Sequence, residues 1–256
     1  DDGHPVEIVP PLATGAPDPA ALSAATTDET GLVSAMLVNN EVGAVADLRA
    51  IADAAHARGA LAHTDAVQAA GLLALGVDAL GVDLLSLSSH KVNGPKGIGA
   101  LFVRAGTPFA PLVRGGAQER GRRGGTENVA QIVAFGQAAK LAIASLANDA
   151  PRIRAQRDHM EAALMDTIPG VTRNGAKEPR LPNTSNLSFA GCEAEAILLL
   201  LDRKGICASS GSACTTGSLA PSHVLTAMGV PPDHALSSLR LSLSKYSTDA
   251  EVDHLL

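Results

Sequence analysis

SLSSHKVNGPKGIGALFVR, residues 86–104, is the stretch on which the reading of this chain turns. It closes an apolar run, VDLLSLSS (82–89), that reads as a buried strand stopping at His90–Lys91. An Asn-Gly-Pro turn follows, and IGALFVR (98–104) reads as the next strand. Upstream, ALAHTDA (60–66) and VSAMLVN (33–39) are further strands. Between them, DLRAIADAAHAR (47–58) sets Leu48, Ile51, Ala52 and Ala55 at helical spacing, and Gly59 ends that helix. Strands alternating with helices predict an α/β fold with a mostly parallel sheet. Ligands of open α/β sheets gather at the carboxyl ends of the strands. The polar residues here collect at those ends: Asn39, Asn40 and Glu41, then Asp65 and Gln68, then Ser88, Ser89, His90 and Lys91.

Farther along, residues 106–126 form a Gly- and Arg-rich loop. Helices are expected over 127–147 and 151–167, broken at Asp149–Pro151. The pattern then changes. NTSNLSFA (183–190) alternates as a strand, EAEAILLLLDRKG (193–205) is helical, and SSLRLSLS (237–244) alternates again. The expected organisation is a large domain over 1–149 and a smaller α+β domain over 150–256.

The bulk numbers exclude several function classes. Aromatic residues make up 2% of the 256, too few for binding nucleic acid by base stacking. A net charge of −6 offers no basic field to a phosphate backbone. No apolar run approaches the roughly 18 residues of a bilayer span, so no membrane partner is expected. DDGHPVEIVPP has neither the basic nor the apolar region of a signal peptide. It also lacks an initiator Met, which predicts a chain that begins partway through a longer protein. The three cysteines, Cys192, Cys207 and Cys214, have no CxxC spacing, so neither a disulfide framework nor a metal site is expected. Reduced thiols suit a cytoplasmic protein.

Five features could carry chemistry. Lys91 lies just past a buried strand, where it is either a surface lysine or an amine activated by desolvation. Neither a Walker loop nor a complete dinucleotide fingerprint is present around Gly94–Gly99. Asp65 ends its own strand, as a solvated cap, a metal ligand or the partner of a cationic ring. An Asp and a Lys at two strand ends are what a pyridoxal-phosphate site needs, one for the pyridine nitrogen and one for the aldehyde. RGGAQERGRRGGTEN (114–128) is a cationic loop that can approach a phosphate through backbone N–H groups and Thr126; RNA binding is its weaker reading. Arg240 shares the polar face of its strand with Ser238 and Ser242, as a solvated residue or as a clamp for a carboxylate. Cys214, in ASSGSACTTGS (208–218), has no bulky apolar neighbour in sequence and reads as an exposed, usable thiol. Cys207 reads as a core residue on a strand entering that loop, Cys192 as incidental, His63 as a packing or orienting residue, and His223 as part of a helix start.

Taken in order, NNEVG (39–43), HTDAVQ (63–68), SLSSHKVNGPKGIGALFVR, GGAQERGRRGGTEN (115–128), SSGSACTTGSLAPSHVL (209–225) and SSLRLSLS resemble the cysteine desulfurases of the NifS/IscS type. These belong to the class V aminotransferase group of pyridoxal-phosphate enzymes, fold type I. The resemblance covers nearly the whole chain. It implies that L-cysteine is converted to L-alanine. The sulfur is kept as a persulfide on Cys214 and passed to an acceptor or iron–sulfur scaffold protein. Lys91 would be the Schiff-base lysine, Asp65 the partner of the pyridine nitrogen, and Gln68 that of the ring hydroxyl. Ser88 and His90 would hold the phosphate, and Thr126 the phosphate of a second subunit, which implies a homodimer. Asn40 would contact cofactor or substrate, Arg240 the substrate carboxylate, and His90 could help deprotonate the thiol. The family's Gly-Ala-Thr phosphate turn and ring-stacking His would lie before Asp1, and its last helix would run past Leu256. Two other functions compete: a selenocysteine lyase of the same group, and a non-catalytic fragment that binds a partner.

Overall fold

The computed structural model describes residues 3–211 and 220–256. In chain order its elements begin with α1 (Pro19–Ala25), β1 (Leu32–Met36), α2 (Leu48–His56), β2 (Leu61–Asp65), α3 (Val77–Leu80) and β3 (Leu84–Ser88). A 3-10 turn (Ser89–Val92), β4 (Gly99–Val103), α4 (Gln118–Gly121) and α5 (Val129–Thr167) follow. The remainder is β5 (Val171–Arg173), β6 (Thr184–Phe189), α6 (Ala194–Arg203), α7 (His223–Ala227), α8 (Pro232–Leu236), β7 (Ser238–Ser242) and α9 (Asp249–Leu255). The chain divides into two compact units. One comprises Thr26–Ala35 and Leu48–Leu146, and the other Asp1–Ala25, Met36–Asp47 and Ala147–Leu256.

The first unit holds a sheet in the order β1-β2-β3-β4. β2 and β3 run parallel with Asp65 opposite Ser86, while β4 returns antiparallel with Gly99 opposite Ser88. α2 buries the four apolar residues whose spacing predicts it: Leu48, Ile51, Ala52 and Ala55. His56 at its end bonds Asp83 Oδ2 at 2.8 Å, and the same oxygen accepts the Ala62 N–H at 2.9 Å. That carboxylate ties helix, β2 and the start of β3 together. The β3–β4 reversal depends on a close backbone approach. A Cβ at Gly99 would lie 2.6 Å from the Leu87 carbonyl oxygen, so no side chain fits there.

The second unit holds an antiparallel sheet in the order β5-β6-β7. Leu187 and Phe189 from β6 and Leu239 and Leu241 from β7 meet Met160, Leu164, Val171 and Val252 in one core. Ile197, Leu198 and Leu201 of α6 pack against it. The polar residues of β6 are buried as well, because a side-chain network replaces their water. Asn174 Nδ2 lies 2.8 Å from Asn186 Oδ1, 2.8 Å from Ser188 Oγ and 3.0 Å from Ser238 Oγ.

Three expectations are corrected. The helix does not break at Pro151: α5 runs through it. A proline inside a helix costs about 3 kcal/mol. Packing offsets this, since Ile153, Arg157, Met160 and Leu164 are all buried just beyond it. Arg152 also donates to the Ser247 and Lys245 carbonyls at 2.8 and 2.6 Å. The same helix is long and apolar enough, by length and composition, to cross a membrane. Gln131, Gln137, Lys140 and Ser145 interrupt the run without making its first half polar. Cys207, expected in the core, is exposed. Only an isolated bridge, Ser209 to Arg240, forms there, and Ala208 rather than Cys207 turns to the core.

Glu161 shows how the second unit keeps a buried carboxylate. Arg180 donates to both its oxygens, at 2.7 and 2.8 Å, with Ser185 at 2.6 Å and Arg173 at 2.8 Å. Burial alone would push the carboxyl up, but Arg180, Ser185 and Arg173 together hold it down to about 2, from 4.5. A lowered folded value stabilises the fold above 4.5 and loses that contribution as pH falls toward 2. Glu161→Gln should therefore destabilise the full-length protein by about 3 kcal/mol at neutral pH. In thermal melts the gap from wild type should narrow between about pH 5 and about pH 2.5.

Candidate active site

In the first unit the polar residues sit where two parallel strands end. Asp65 is the last residue of β2 and is half-buried. Its Oδ1 accepts the Val67 N–H at 2.8 Å, a local turn that fixes the carboxylate at the strand exit. Gln68 follows in the same turn, half-buried. Ser88 ends β3, and its Oγ lies 2.7 Å from His90 Nδ1. The 3-10 turn then carries His90 and Lys91 outward, both exposed, and stops at Asn93 in the left-handed conformation. Among the described residues Lys91 makes no ion pair, so its amine is not committed to a carboxylate. Thr126 is exposed in the loop before α5.

His63, expected to pack or to orient its neighbours, has a defined place. It bridges three adjacent strands: its Nδ1 lies 2.8 Å from Ser34 Oγ on β1, and its Nε2 lies 2.9 Å from Ser86 Oγ on β3. Burial pushes its pKa down, against an upward pull from Asp65.

In the second unit Asn40 and Arg240 are brought together: Arg240 Nη1 donates to the Asn40 carbonyl at 2.9 Å. Arg240 is paired with Asn186 across β6–β7, and its backbone bonds Ser209 in both directions, at 2.7 and 3.2 Å. Cys214 lies outside the described residues. Glu41, a member of the NNEVG segment with no role in the sequence reading, is almost fully buried and accepts a bond from Ser222. Its neighbours in sequence gave no signal of that partner, which is 181 residues away.

The donor set in the first unit fits pyridoxal phosphate by its chemistry. An amine free of ion pairs, a carboxylate at the adjacent strand end and a hydroxyl–imidazole pair suit its aldehyde, its ring nitrogen and its phosphate respectively. Nothing in that set resembles a metal site, and the described residues hold no group of three or more His, Cys, Asp or Glu placed to bind one.

The chain is similar to known proteins over nearly its whole length. The family model "Aminotransferase class-V" matches residues 1–255. A cysteine desulfurase from Gluconacetobacter diazotrophicus is 50% identical over 244 residues, covering 95% of this chain and 61% of that relative. A solved NifS-like protein superposes with a TM-score of 0.89 at 35% identity, over 99% of this chain and 66% of that one. A structure described as SspA in complex with cysteine gives a TM-score of 0.79 at 34% identity, over 96% and 68%. The chain spans less than two thirds of the length of the curated relatives it matches.

The two hydrogen bonds of His63 lead to a measurement. At pH 6.5, the ordinary value, an exposed imidazole is half protonated, whereas His63 should be mostly neutral. Because its folded value is lowered, protonating it opposes folding as the pH drops. Imidazole nitrogen shifts in the full-length protein should report less protonation at that pH than an exposed imidazole shows, and Ser34→Ala should alter the Nδ1 signal.

Proposed function

The chain belongs to the aminotransferase class-V family, and from that membership we propose that it works as a pyridoxal-phosphate-dependent cysteine desulfurase. The observation that supports this most is the uncommitted Lys91 amine just past β3, with Asp65 at the end of the parallel neighbour β2. Similarity to relatives named cysteine desulfurase, and to a structure described with bound cysteine, points to L-cysteine as substrate.

Pyridoxal phosphate, when bound, supplies an electron sink for the charge left on the substrate carbon. Asp65 holds a proton on the ring nitrogen, and Gln68 bonds the ring hydroxyl. Ser88 and His90 hold the phosphate, with Thr126 reaching that of a second copy in a homodimer. Lys91 Nζ would hold the aldehyde and, as a free amine, would take the proton from the substrate's α-carbon. Asn40 and Arg240 bind substrate, Arg240 through the carboxylate. Cys214 acts as the thiolate, since the thiol is a poor nucleophile, and His90 helps to remove its proton. An S–S bond forms as the substrate's C–S bond breaks. The β-carbon would then take a proton to become the methyl of alanine, and Lys91 would return a proton to the α-carbon before alanine leaves. The persulfide passes to an acceptor protein, with iron–sulfur assembly or thiolation as its destination, in the reducing cytoplasm.

In the full-length protein Lys91→Ala should abolish the visible, borohydride-fixable chromophore. Cys214→Ala should keep that chromophore while sulfide release from cysteine falls at least about a hundredfold. Sulfide release by Cys214→Ala at the wild-type rate would overturn the role of Cys214. Equal turnover of selenocysteine by that variant would favour a selenocysteine lyase. A protein that gains no chromophore with added cofactor would be a partner-binding chain instead.

A further inference from the structure

Asn186 is fully buried in β6, and nothing in the proposed chemistry uses it. Arg240 stands directly opposite it on β7. Opposed residues of an antiparallel pair share a face, so the amide and the guanidinium leave the sheet on one side. Both reach the same turn. Arg240 Nη1 donates to the Asn40 carbonyl at 2.9 Å, and Asn186 Nδ2 donates to the Glu41 carbonyl at 3.3 Å. The turn's own backbone bonds use other groups. Gly43 N–H donates to the Asn39 carbonyl at 3.0 Å, and Asn39 N–H to the Ala44 carbonyl at 2.9 Å. Two consecutive peptide carbonyls, beginning at Asn40, are thus held by two opposed side chains.

The orientation of the Asn186 amide is forced. A carbonyl only accepts, so the NH2 group faces Glu41 and the amide oxygen faces away. That oxygen accepts from Asn174 Nδ2 at 2.8 Å, and the same nitrogen lies 2.8 Å from Ser188 Oγ and 3.0 Å from Ser238 Oγ. Asn174 N–H also donates to the Asn186 carbonyl at 2.9 Å. Ser188 and Ser238 are the next opposed pair on the same face. A continuous path of bonds runs from this buried polar face, through one amide, to the turn that carries Asn40.

We propose that Asn186 is a positioning residue for recognition of the substrate's carboxylate: by pinning the Glu41 carbonyl it sets the 40–41 turn against Arg240, so that Asn40 and the guanidinium meet the substrate in one geometry. This rests on Arg240 and Asn40 binding substrate. The deciding variant is Asn186→Thr in the full-length protein. Threonine suits a strand, and its hydroxyl can still serve Asn174. It is too short to take over a bond that already spans 3.3 Å. L-Alanine, which has the carboxylate but no sulfur to give up, should bind about tenfold more weakly by calorimetry. Cysteamine, which has the amine and thiol but no carboxylate, should bind within about twofold of wild type. The KM for L-cysteine should rise by the same factor as the L-alanine constant, at a nearly unchanged maximal rate. Ser188→Ala breaks the same network two residues away. It should lower the melting temperature and leave L-alanine binding unchanged. If Asn186→Thr does not fold, Asn186→Ser should give the same selective loss. Wild-type L-alanine binding in the folded variant, or an equal loss for cysteamine, overturns the proposal. Arg240→Lys, measured beside it, separates the proposal from the reading beneath it. If Arg240→Lys weakens L-alanine binding and Asn186→Thr does not, the proposal alone falls. If Arg240→Lys leaves L-alanine binding intact, Arg240 is not the carboxylate clamp, and both fall together.

Discussion

The contact between Gly99 and the Leu87 carbonyl is the constraint on which the first unit's site depends. A side chain at 99 would have to sit 2.6 Å from a backbone oxygen. Without one, β4 can fold straight back on β3, and the chain between them must close in a short space. The 3-10 turn at 89–92 is that closure, and it turns His90 and Lys91 outward at the end of a buried strand. Asp65 reaches the adjoining strand end because β2 and β3 are parallel and in register. An antiparallel pair would put it at the opposite edge.

The second unit relies on polar burial. Asn174, Asn186, Ser188 and Ser238 satisfy one another beneath the sheet, and Glu161 is surrounded by Arg173, Arg180 and Ser185. Removing one partner from such a network strands the rest without water, so each member constrains its neighbours. The same rigidity extends to the 39–42 turn, which Asn186 and Arg240 grip by its carbonyls.

Much of this was legible in the sequence. The alternation in SSLRLSLS predicts β7 with Leu239 and Leu241 inward and Arg240 on the other face, and that is the arrangement found. The spacing in DLRAIADAAHAR predicts the buried face of α2 residue by residue. β5 was missed, since three residues are too few for a period to show. Pro151 misled because its local cost is real, and only the packing of Ile153, Arg157 and Met160 reveals what outweighs it. Cys207 misled because an apolar-looking strand pattern does not say which of two faces is covered.

The sequence by itself determined the local elements, the strand ends at which polar residues collect, and the family. These depend on periodicity and on motifs a few residues long. Only the tertiary structure decided which distant groups meet. The pairing of Glu41 with Ser222 and of Arg240 with the Asn40 carbonyl joins residues 181 and 200 positions apart. No local pattern encodes those contacts, because they arise only when a buried polar group must find its partner in the folded chain.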